Sequence, residues 1–358
     1  MTMQTYPAVP QRIGRFLGRT FKHAVPREVL AKTGRQEVLP PNHGDTYVGR
    51  RFLPYGATNA DANSMNRFFQ NGAGDRGLNM VQAHLTQEGV TPLPDSIQAV
   101  DTTVVMQQYS CLYGYTDKVA MLYEDNIPDE MAKQVGERVT TVNEQIVFGA
   151  LRGATNQFFG GSGTSRATVN GTLTLGMLRK IARNLEANHA TKPNRMLSAS
   201  NRYNTDAVEE SFFVYCHSDL APDIRDLPGF VPAVNYASGT PLPREMGKCE
   251  DFRFITSPDF PALLDQGASV AAAPGLQSQS GSNIDVYQFI VTGEDAWSQI
   301  AVRGPGALKV VDLPAGKSEK ADIFGQRGYV GAIWWKAVMV ENNGWMAVGN
   351  VGVKNLTN

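Results

Sequence analysis

The chain has 358 residues, of which 42% are hydrophobic, 33 are Lys or Arg and 34 are Asp or Glu, so its formal net charge is −1. This composition supports a sizeable core and excludes both a disordered chain and a generally basic nucleic-acid binder. The sequence shows no apolar run of about 18 residues and no secretory leader, so we expect neither a membrane span nor export. The cysteines Cys111, Cys216 and Cys249 are odd in number and widely spaced, which indicates a reducing compartment without a disulfide framework.

Residues 1–43 form a basic, irregular segment that we predict to be an N-terminal arm. Up to residue 36 its net charge is about +6, which leaves about −7 for the remainder. Ile13, Phe16, Leu17 and Phe21 recur at helical spacing, whereas five prolines favour an extended chain. Three interpretations stay open: a helix that docks on a partner or nucleic acid, an arm packed on its own fold, and a mitochondrial transit peptide. The basic residues are Arg12, Arg15, Arg19, Lys22, Arg27, Lys32 and Arg35.

Residues 44–110 are predicted to form a long β-hairpin with an excursion between its strands. The excursion, residues 56–79, is polar and rich in Gly and Asn, with little periodicity. Long excursions in compact domains are often functional or contact another subunit. Phe68 and Phe69 are its only adjacent aromatic residues, so we predict that they anchor a contact with another chain. The strands are assigned to 47–54 and 100–109.

The clearest helix is predicted at 128–152. Asn126 precedes it, Pro128 suits its first position, and Gly153 suits its end. Apolar residues three or four apart predict one buried stripe along the whole helix. The members of this stripe are Met131, Val135, Val139, Val142, Ile146 and Ala150.

The remainder of the chain alternates between predicted loops, helices and strands. A linker rich in Gly, Ser and Thr at 160–171 precedes a helix at 175–188, with Thr174 as its N-cap. A third helix is predicted at 205–217. Strands are predicted at 252–256 and 285–291, a loop at 267–282, and a C-terminal hairpin of 329–340 and 345–353 around an Asn-Gly turn at 341–344.

Motifs of enzyme chemistry are incomplete in this sequence. The G-x-G-x-x-G spelled by 72–77 lies inside the polar excursion, whereas a dinucleotide site requires a strand before it and a helix after it. A phosphate loop ending at 316–318 lacks its first glycine, because Val311 stands there. The five histidines are scattered and provide no metal-ligand spacing. We predict no catalytic, cofactor-binding or metal-binding residue and no enzyme activity; a site assembled from dispersed residues is the rival interpretation.

Residues 85–92 (LTQEGVTP), followed by 104–109 (VVMQQY) and then Thr116 and Asp117, carry a specific resemblance. Together they resemble a signature of tailed-phage major capsid proteins of the coliphage N-four type. That signature has an L-T-E-G-x-x-P hairpin, a Q-Y-G strand and a T-D pair before a long helix. Here Gln87 is inserted and Ser110 replaces the glycine.

Further matches follow in the order expected for that family, so the resemblance covers about 40–355. Arg244 stands where the family usually has glycine, so the turn at this position is expected to differ. The excursion 56–79 resembles an insertion relative to the family. The matching segments are 216–220 (CHSDL) leading to Tyr236, 247–260 (GKCEDFRFITSPDF), 286–297 (VYQFIVTGEDAW) and 322–331 (DIFGQRGYVG).

The resemblance implies an α+β chain with the Hong Kong 97-type phage capsid fold. That fold has an N-terminal arm, an extended E-loop hairpin, a peripheral domain with a long spine helix, and an axial domain. In this scheme the arm is 1–43, and the E-loop hairpin is 44–110 with its insertion at 56–79. The peripheral domain is 111–171 and includes the spine helix 128–152, and the axial domain is 172–325. The C-terminal hairpin is 326–358 and returns to the peripheral domain.

The resemblance also implies a function, that of a major capsid protein of a tailed bacteriophage. Such a protein self-assembles into hexamers and pentamers of an icosahedral shell that encloses double-stranded DNA. The alternatives are an encapsulin-like compartment protein, or another phage structural protein such as a tail-tube or decoration protein. The expected location is the virion, with the host cytoplasm during assembly.

The expected partners are copies of the chain itself, a separate scaffolding protein, a portal protein and a decoration protein where one is present. DNA is expected to be enclosed without sequence-specific binding, and neither a membrane nor a cofactor is expected. The arm is predicted to bind a neighbouring subunit rather than DNA, because its apolar side chains need a surface to cover. The predicted assembly contacts are Arg12, Arg15, Phe16, Arg19, Phe21, Phe68 and Phe69.

Overall fold

The structure is a computed structural model of the chain. It describes residues 29–30, 33–40, 44–52, 86, 88–89, 91, 97, 99–123, 126–193, 210–236, 241–242, 244–302, 308–318 and 322–356. The helices are α1 Asp117–Leu122, α2 Ile127–Leu151, α3 Leu175–Ala187 and α4 Ala221–Arg225. The strands are β1 Arg35–Leu39, β2 Thr46–Phe52, β3 Ala99–Val105, β4 Gln107–Thr116, β5 Gln157–Phe159, β6 Phe212–His217, β7 Val231–Pro232, β8 Glu245–Cys249, β9 Phe252–Ser257, β10 Tyr287–Thr292, β11 Trp297–Val302, β12 Leu308–Leu313, β13 Arg327–Val340 and β14 Met346–Val351.

The long strand β13 is the centre of the first sheet. β4 pairs with 327–336 of this strand and β12 with 329–334, so β4 and β12 must occupy opposite edges of β13. β11 pairs with 337–340, and β1 adds to β11 as a parallel strand. One face of this sheet packs against α2. The tail of the predicted arm is therefore part of a sheet in the body of the protein.

The spine helix predicted from the sequence is present as α2. The Asn126 side chain accepts a hydrogen bond from the backbone N–H of Asp129, as an N-cap does. The first half of the predicted stripe is confirmed, since Met131 and Val135 are buried against the first sheet. The second half is wrong, because Ala150 is exposed and Ile146 only half-buried. There the helix leaves the first sheet and turns another face inward, formed by Glu144, Val147, Phe148 and Leu151.

Val139 lies where α2 still contacts the first sheet, and it is half-buried there. We expect Val139→Asp to lower the free energy of unfolding by about 2 kcal/mol, because it brings a charge to a partly apolar contact. Chemical denaturation should measure the loss. Gln134→Asp, at an exposed position of the same helix, is the matched control and should leave stability nearly unchanged. Equal stability of the two variants would contradict the packing of Val139.

The second sheet has the strand order β5-β14-β10-β6-β9-β8-β7. Its central strands β6, β10 and β14 are almost wholly buried, because apolar clusters cover both faces. Helix α3 covers one face, and Thr174 caps it by accepting a hydrogen bond from the N–H of Met177, as predicted. The predicted strands at 252–256 and 285–291 correspond to β9 and β10.

The third predicted helix, at 205–217, is wrong where the structure describes it. Phe212–His217 is strand β6, paired with β9 on one side and β10 on the other. The run FFVYC is apolar at consecutive positions, and such a run suits a strand buried on both faces as well as a buried helix. Its β-branched and aromatic residues favour the strand. Residues 205–209 lie outside the described part.

The predicted C-terminal hairpin is also wrong, because its two strands do not pair with each other. β13 belongs to the first sheet and β14 to the second, where it lies between β10 and β5. The Asn-Gly sequence instead forms a short 3-10 turn, in which the Asn342 side chain accepts a hydrogen bond from the N–H of Gly344. The segment between β13 and β14 therefore connects the first sheet to the second.

The hairpin predicted within 44–110 is present as the antiparallel pair β2–β3. Its predicted second strand is divided at Met106, since residues 107–110 belong to β4 and pair with β13. β3 is thus joined through Met106 to the N-terminal end of β4. The excursion 56–79 and the G-x-G-x-x-G at 72–77 lie outside the described residues.

Candidate assembly surfaces

The predicted contact residues fall outside the part of the chain that the structure describes, so their positions stay predictions. The end of the predicted arm, by contrast, is described and is fixed to the body by three features. Val29 and Leu30 are buried, Gly34 lies against the Trp297 ring, and β1 pairs with β11. A Cβ atom at Gly34 would approach the Trp297 ring to 2.4 Å, so glycine is required for this contact. The undescribed contact residues are Arg12, Arg15, Phe16, Arg19, Phe21, Phe68 and Phe69.

Glu144 of α2 fixes the first described residues of the arm. Its Oε1 atom accepts hydrogen bonds from the backbone N–H groups of Val29, at 3.1 Å, and Leu30, at 2.7 Å. The residue is only 1% exposed. A buried carboxylate that accepts backbone hydrogen bonds is a strong anchor, because these bonds are charge-assisted. Sequence patterns do not predict this role of Glu144; the one signal is that this acidic residue lies on the apolar face that Val147 and Phe148 continue.

Charged side chains of β1 and of the residue after β13 lie beside the root of the β2–β3 hairpin. Arg35 contacts Glu37, with 2.7 Å between Nε and Oε1, and Glu341, with 3.7 Å between Nη1 and Oε2. Burial raises the pKa of Glu341 above its usual value and lowers that of Arg51. A Cβ atom at Gly49 would lie 2.7 Å from Cε of Met339, so the hairpin backbone approaches β13 closely. These contacts orient the hairpin on the body.

The outward face of the β2–β3 hairpin combines apolar side chains with one ion pair. Val48, Phe52 and Val105 are exposed. The Arg50 guanidinium donates two hydrogen bonds to the Asp101 carboxylate across the strands, at 2.7 and 2.8 Å. The hydrogen bond from Arg50 holds the pKa of Asp101 below its usual value. This face therefore presents apolar surface around the Arg50–Asp101 ion pair, whose charges cancel, and such a surface suits contact with another protein.

A second apolar surface lies at the far end of the first sheet. Met121 and Leu122 of α1 and Ile323 and Phe324 of the turn before β13 are all at least 65% exposed. The backbone hydrogen bond from Asp117 to Gln326 joins the two segments. Several large exposed apolar side chains at one end of a molecule are typical of an interaction site.

Cysteine, histidine and acidic side chains of the described ranges are the groups from which a metal ion would draw its ligands. No grouping of His, Cys, Asp and Glu suited to a metal ion occurs among those residues. Cys216 is buried, and burial raises the pKa of its thiol to about 12, so it is not an activated nucleophile. No helix in this part of the chain is long and apolar enough to cross a membrane.

The sequence has a distant relative among curated proteins. The major capsid protein of Pseudomonas phage KPP21 is 23% identical over 204 residues, which cover 52% of this chain and 51% of the relative. The chain therefore spans about half the length of the curated relative that it matches. No family model matches the sequence.

Solved structures show a likeness over nearly the whole chain. The capsid asymmetric unit of cyanophage Pam1 matches 96% of this chain and 97% of its own, with a TM-score of 0.60 and 15% identity. The capsid of Ralstonia phage GP4 matches 100% of both chains, with a TM-score of 0.56 and 11% identity. The holo-SrpI encapsulin complex from Synechococcus elongatus matches 95% of both, with a TM-score of 0.50 and 11% identity. The predicted α+β fold of the Hong Kong 97 type is thereby confirmed.

Proposed function

We propose that this chain is the major capsid protein of a tailed bacteriophage. Copies of it form hexamers and pentamers of an icosahedral shell that encloses double-stranded DNA. The observation that carries this proposal is the likeness to phage capsid subunits over essentially the full length of the chain. The similarity to a curated major capsid protein over 204 residues gives independent support from sequence.

The distribution of exposed apolar side chains supports the same proposal. They occur on the hairpin face, for example Phe52, on strand β12, for example Val310, and at the far end of the first sheet, for example Phe324. A subunit of a closed shell has neighbours on several sides, and each of these surfaces can be covered by a different neighbour. The rival classes, a tail-tube or decoration protein and a dispersed-site enzyme, receive no such support from the whole-chain likeness.

Several finer assignments belong to this proposal. The motif order of the sequence favours the coliphage N-four type among such capsid proteins, and the segments given above from arm to axial domain remain the expected division of the chain. We expect a scaffolding protein, a portal protein and, where present, a decoration protein as partners. The shell is expected in the virion and its assembly in the host cytoplasm. The arm and the Phe68–Phe69 pair remain the expected contacts with neighbours.

Electron microscopy of the purified chain, with and without its phage's scaffolding protein, tests the proposal. We expect closed icosahedral shells in at least one condition. Tubes, or a monomer in every condition, would overturn it. Particles purified from infected cells distinguish the encapsulin alternative, whose fold is related: a phage shell contains DNA, whereas a compartment of the encapsulin type contains a protein cargo instead.

The described residues limit how far a deletion of the arm can extend before it cuts into the body. Deletion of residues 1–27 spares Val29, Leu30 and β1, whereas a longer deletion to residue 36 would remove part of the sheet. We expect the shorter deletion to leave the melting temperature unchanged and to weaken shell assembly in the absence of DNA. Light scattering measures assembly. Normal assembly with loss of DNA packaging alone would show instead that the arm contacts DNA.

A further inference from the structure

Arg244 has a strained backbone at the corner where the chain enters β8. Its φ angle is 62°, in the left-handed region that glycine adopts freely and that a side chain disfavours. A hydrogen bond of 3.0 Å from the Glu245 N–H to the Leu242 carbonyl closes a turn, and Arg244 is the third residue of this turn. In turns that need a positive φ at the third residue, glycine is preferred. Arginine therefore makes this turn less stable than glycine would.

The Arg244 side chain gains little from contacts inside its own subunit. Its Nη1 atom lies 3.4 Å from Oγ of Ser257, which is a long hydrogen bond to an uncharged group. Among the described residues, no carboxylate forms an ion pair with Arg244. The carboxylate next to it in sequence, that of Glu245, binds Arg253 instead. Strain that a subunit keeps without an internal gain is typical of a functional position.

The same corner of the second sheet exposes an apolar side chain. Val234 is 94% exposed in the short 3-10 turn Ala233–Asn235, which follows β7 and contacts β8. The Tyr236 hydroxyl then donates a hydrogen bond of 2.6 Å to Glu245, so Val234 and Arg244 lie at one corner. β7 is the outermost strand of this sheet. An arginine beside an exposed apolar side chain suits a contact with another protein.

The charge of the chain indicates what Arg244 binds. Beyond residue 36 the net charge is about −7, so the body of every copy presents carboxylates to its neighbours. A guanidinium binds a carboxylate through two parallel hydrogen bonds, and this geometry makes the pair specific as well as attractive. In a shell built from one kind of subunit, the same residue makes the same contact many times, so a modest loss of stability in each copy is offset by the contacts.

We propose that the Arg244 guanidinium binds a carboxylate of a second copy of this chain, with Val234 packed beside the ion pair. This inference rests on the proposed shell, because it requires neighbouring copies. The strained turn aims the guanidinium out of the subunit, and the contact between copies supplies the carboxylate that the subunit itself does not provide. Arg244 is thus a residue that favours assembly at the expense of the free subunit.

Relieving the strain tests the inference, because it should separate the stability of the subunit from the assembly of the shell. Arg244→Gly suits the positive φ and removes the guanidinium. The free variant should melt at the wild-type temperature or up to about 3 °C above it. The same variant should require at least about tenfold more protein to form shells, as measured by light scattering. Assembly of Arg244→Gly at the wild-type concentration would overturn the inference and leave the proposed function intact.

Two further variants separate the guanidinium from the backbone. His189, after the end of α3, also has a positive φ, of 57°. His189→Gly relieves the same kind of strain and should assemble at the wild-type concentration. Arg244→Lys keeps both the charge and the strain but loses the paired hydrogen bonds, so it should assemble less readily than the wild type and more readily than Arg244→Gly. An equal defect in His189→Gly would show that turn flexibility, rather than the guanidinium, controls assembly.

Salt and the other components of the particle identify the partner. An ion pair is screened by salt, so added NaCl should raise the protein concentration needed for assembly more in the wild type than in Arg244→Gly. Free wild-type and Arg244→Gly subunits should bind the scaffolding protein and DNA equally well. Weaker binding of the variant to either one would assign Arg244 to that component and overturn the contact between copies, while shells would still support the proposed function. If the wild type forms no shells in any condition, the proposed function fails together with this inference.

Discussion

Replacing Glu245 with alanine is expected to lower the free energy of unfolding by about 3–5 kcal/mol, because it leaves a buried arginine without its partner. Arg253 and Glu245 form a two-pronged ion pair on neighbouring strands, at 2.7 and 2.6 Å, with side chains only 5% and 0% exposed. The same carboxylate accepts hydrogen bonds from the Tyr236 hydroxyl and the Leu242 backbone. Removing the Glu245 carboxylate therefore also breaks the contacts that hold the segment leading into β8.

Chemical denaturation of the free subunit measures this loss. Glu250→Ala is the matched control, because it breaks an exposed pair between the turn that joins β8 to β9 and Arg179 of α3, and it should change stability little. Replacing both members of the buried pair, as Glu245→Ala with Arg253→Met, should recover part of the stability, since no unpaired charge remains. A Glu245→Ala subunit as stable as the wild type would show that water reaches Arg253.

Elements with long, regular patterns could be predicted from the sequence. Helix α2 has a cap and a proline at its start, and the apolar spacing predicts its extent, although in its second half a different face is buried. Strand β2 could be predicted as a short strand candidate, and strand β3 from its richness in β-branched residues. The fold itself followed from the order of short motifs across the chain, and no single motif would have been sufficient.

The two wrong elements share a physical cause. The run FFVYC in β6 and the apolar run in β14 are buried on both faces, so they lack the alternation that identifies a strand and its partner, whereas β13 alternates between buried and partly buried positions along most of its length. An Asn-Gly turn between two apolar runs predicts a hairpin when only the neighbouring sequence is considered. β14 pairs instead with β10 and β5, which lie more than 50 residues away from it along the chain, so this pairing depends on tertiary structure.

Contacts of the candidate surfaces were harder to predict than the fold. The sequence predicts one basic arm over residues 1–43, whereas the structure shows that the described residues at its end, from Val29 onward, are built into the body. The burial of Val29 and Leu30 depends on Glu144, which is more than 110 residues away along the chain. Spacing rules describe neighbours within one element, so they carry no information on a side chain that binds a distant backbone.

Replacing Glu144 with alanine is expected to lower the free energy of unfolding by about 2–4 kcal/mol and to release the start of the arm. Alanine leaves the buried N–H groups of Val29 and Leu30 without an acceptor, and each such group costs about 1–3 kcal/mol. Part of this cost is avoided if the segment detaches and its N–H groups reach water. The residual stability then depends on β1, which pairs with β11 independently.

Two variants separate the hydrogen bonds from a general effect on the helix. Glu144→Gln keeps a carbonyl oxygen that can accept both bonds, so it should lose clearly less stability than Glu144→Ala. Gln145→Ala, at the exposed neighbouring position of α2, should have almost no effect. Hydrogen exchange should show faster exchange at Val29 and Leu30 in Glu144→Ala while the Met131 amide stays protected. Unchanged protection of the two arm amides would show that packing against Phe148, rather than Glu144, holds the arm to the body.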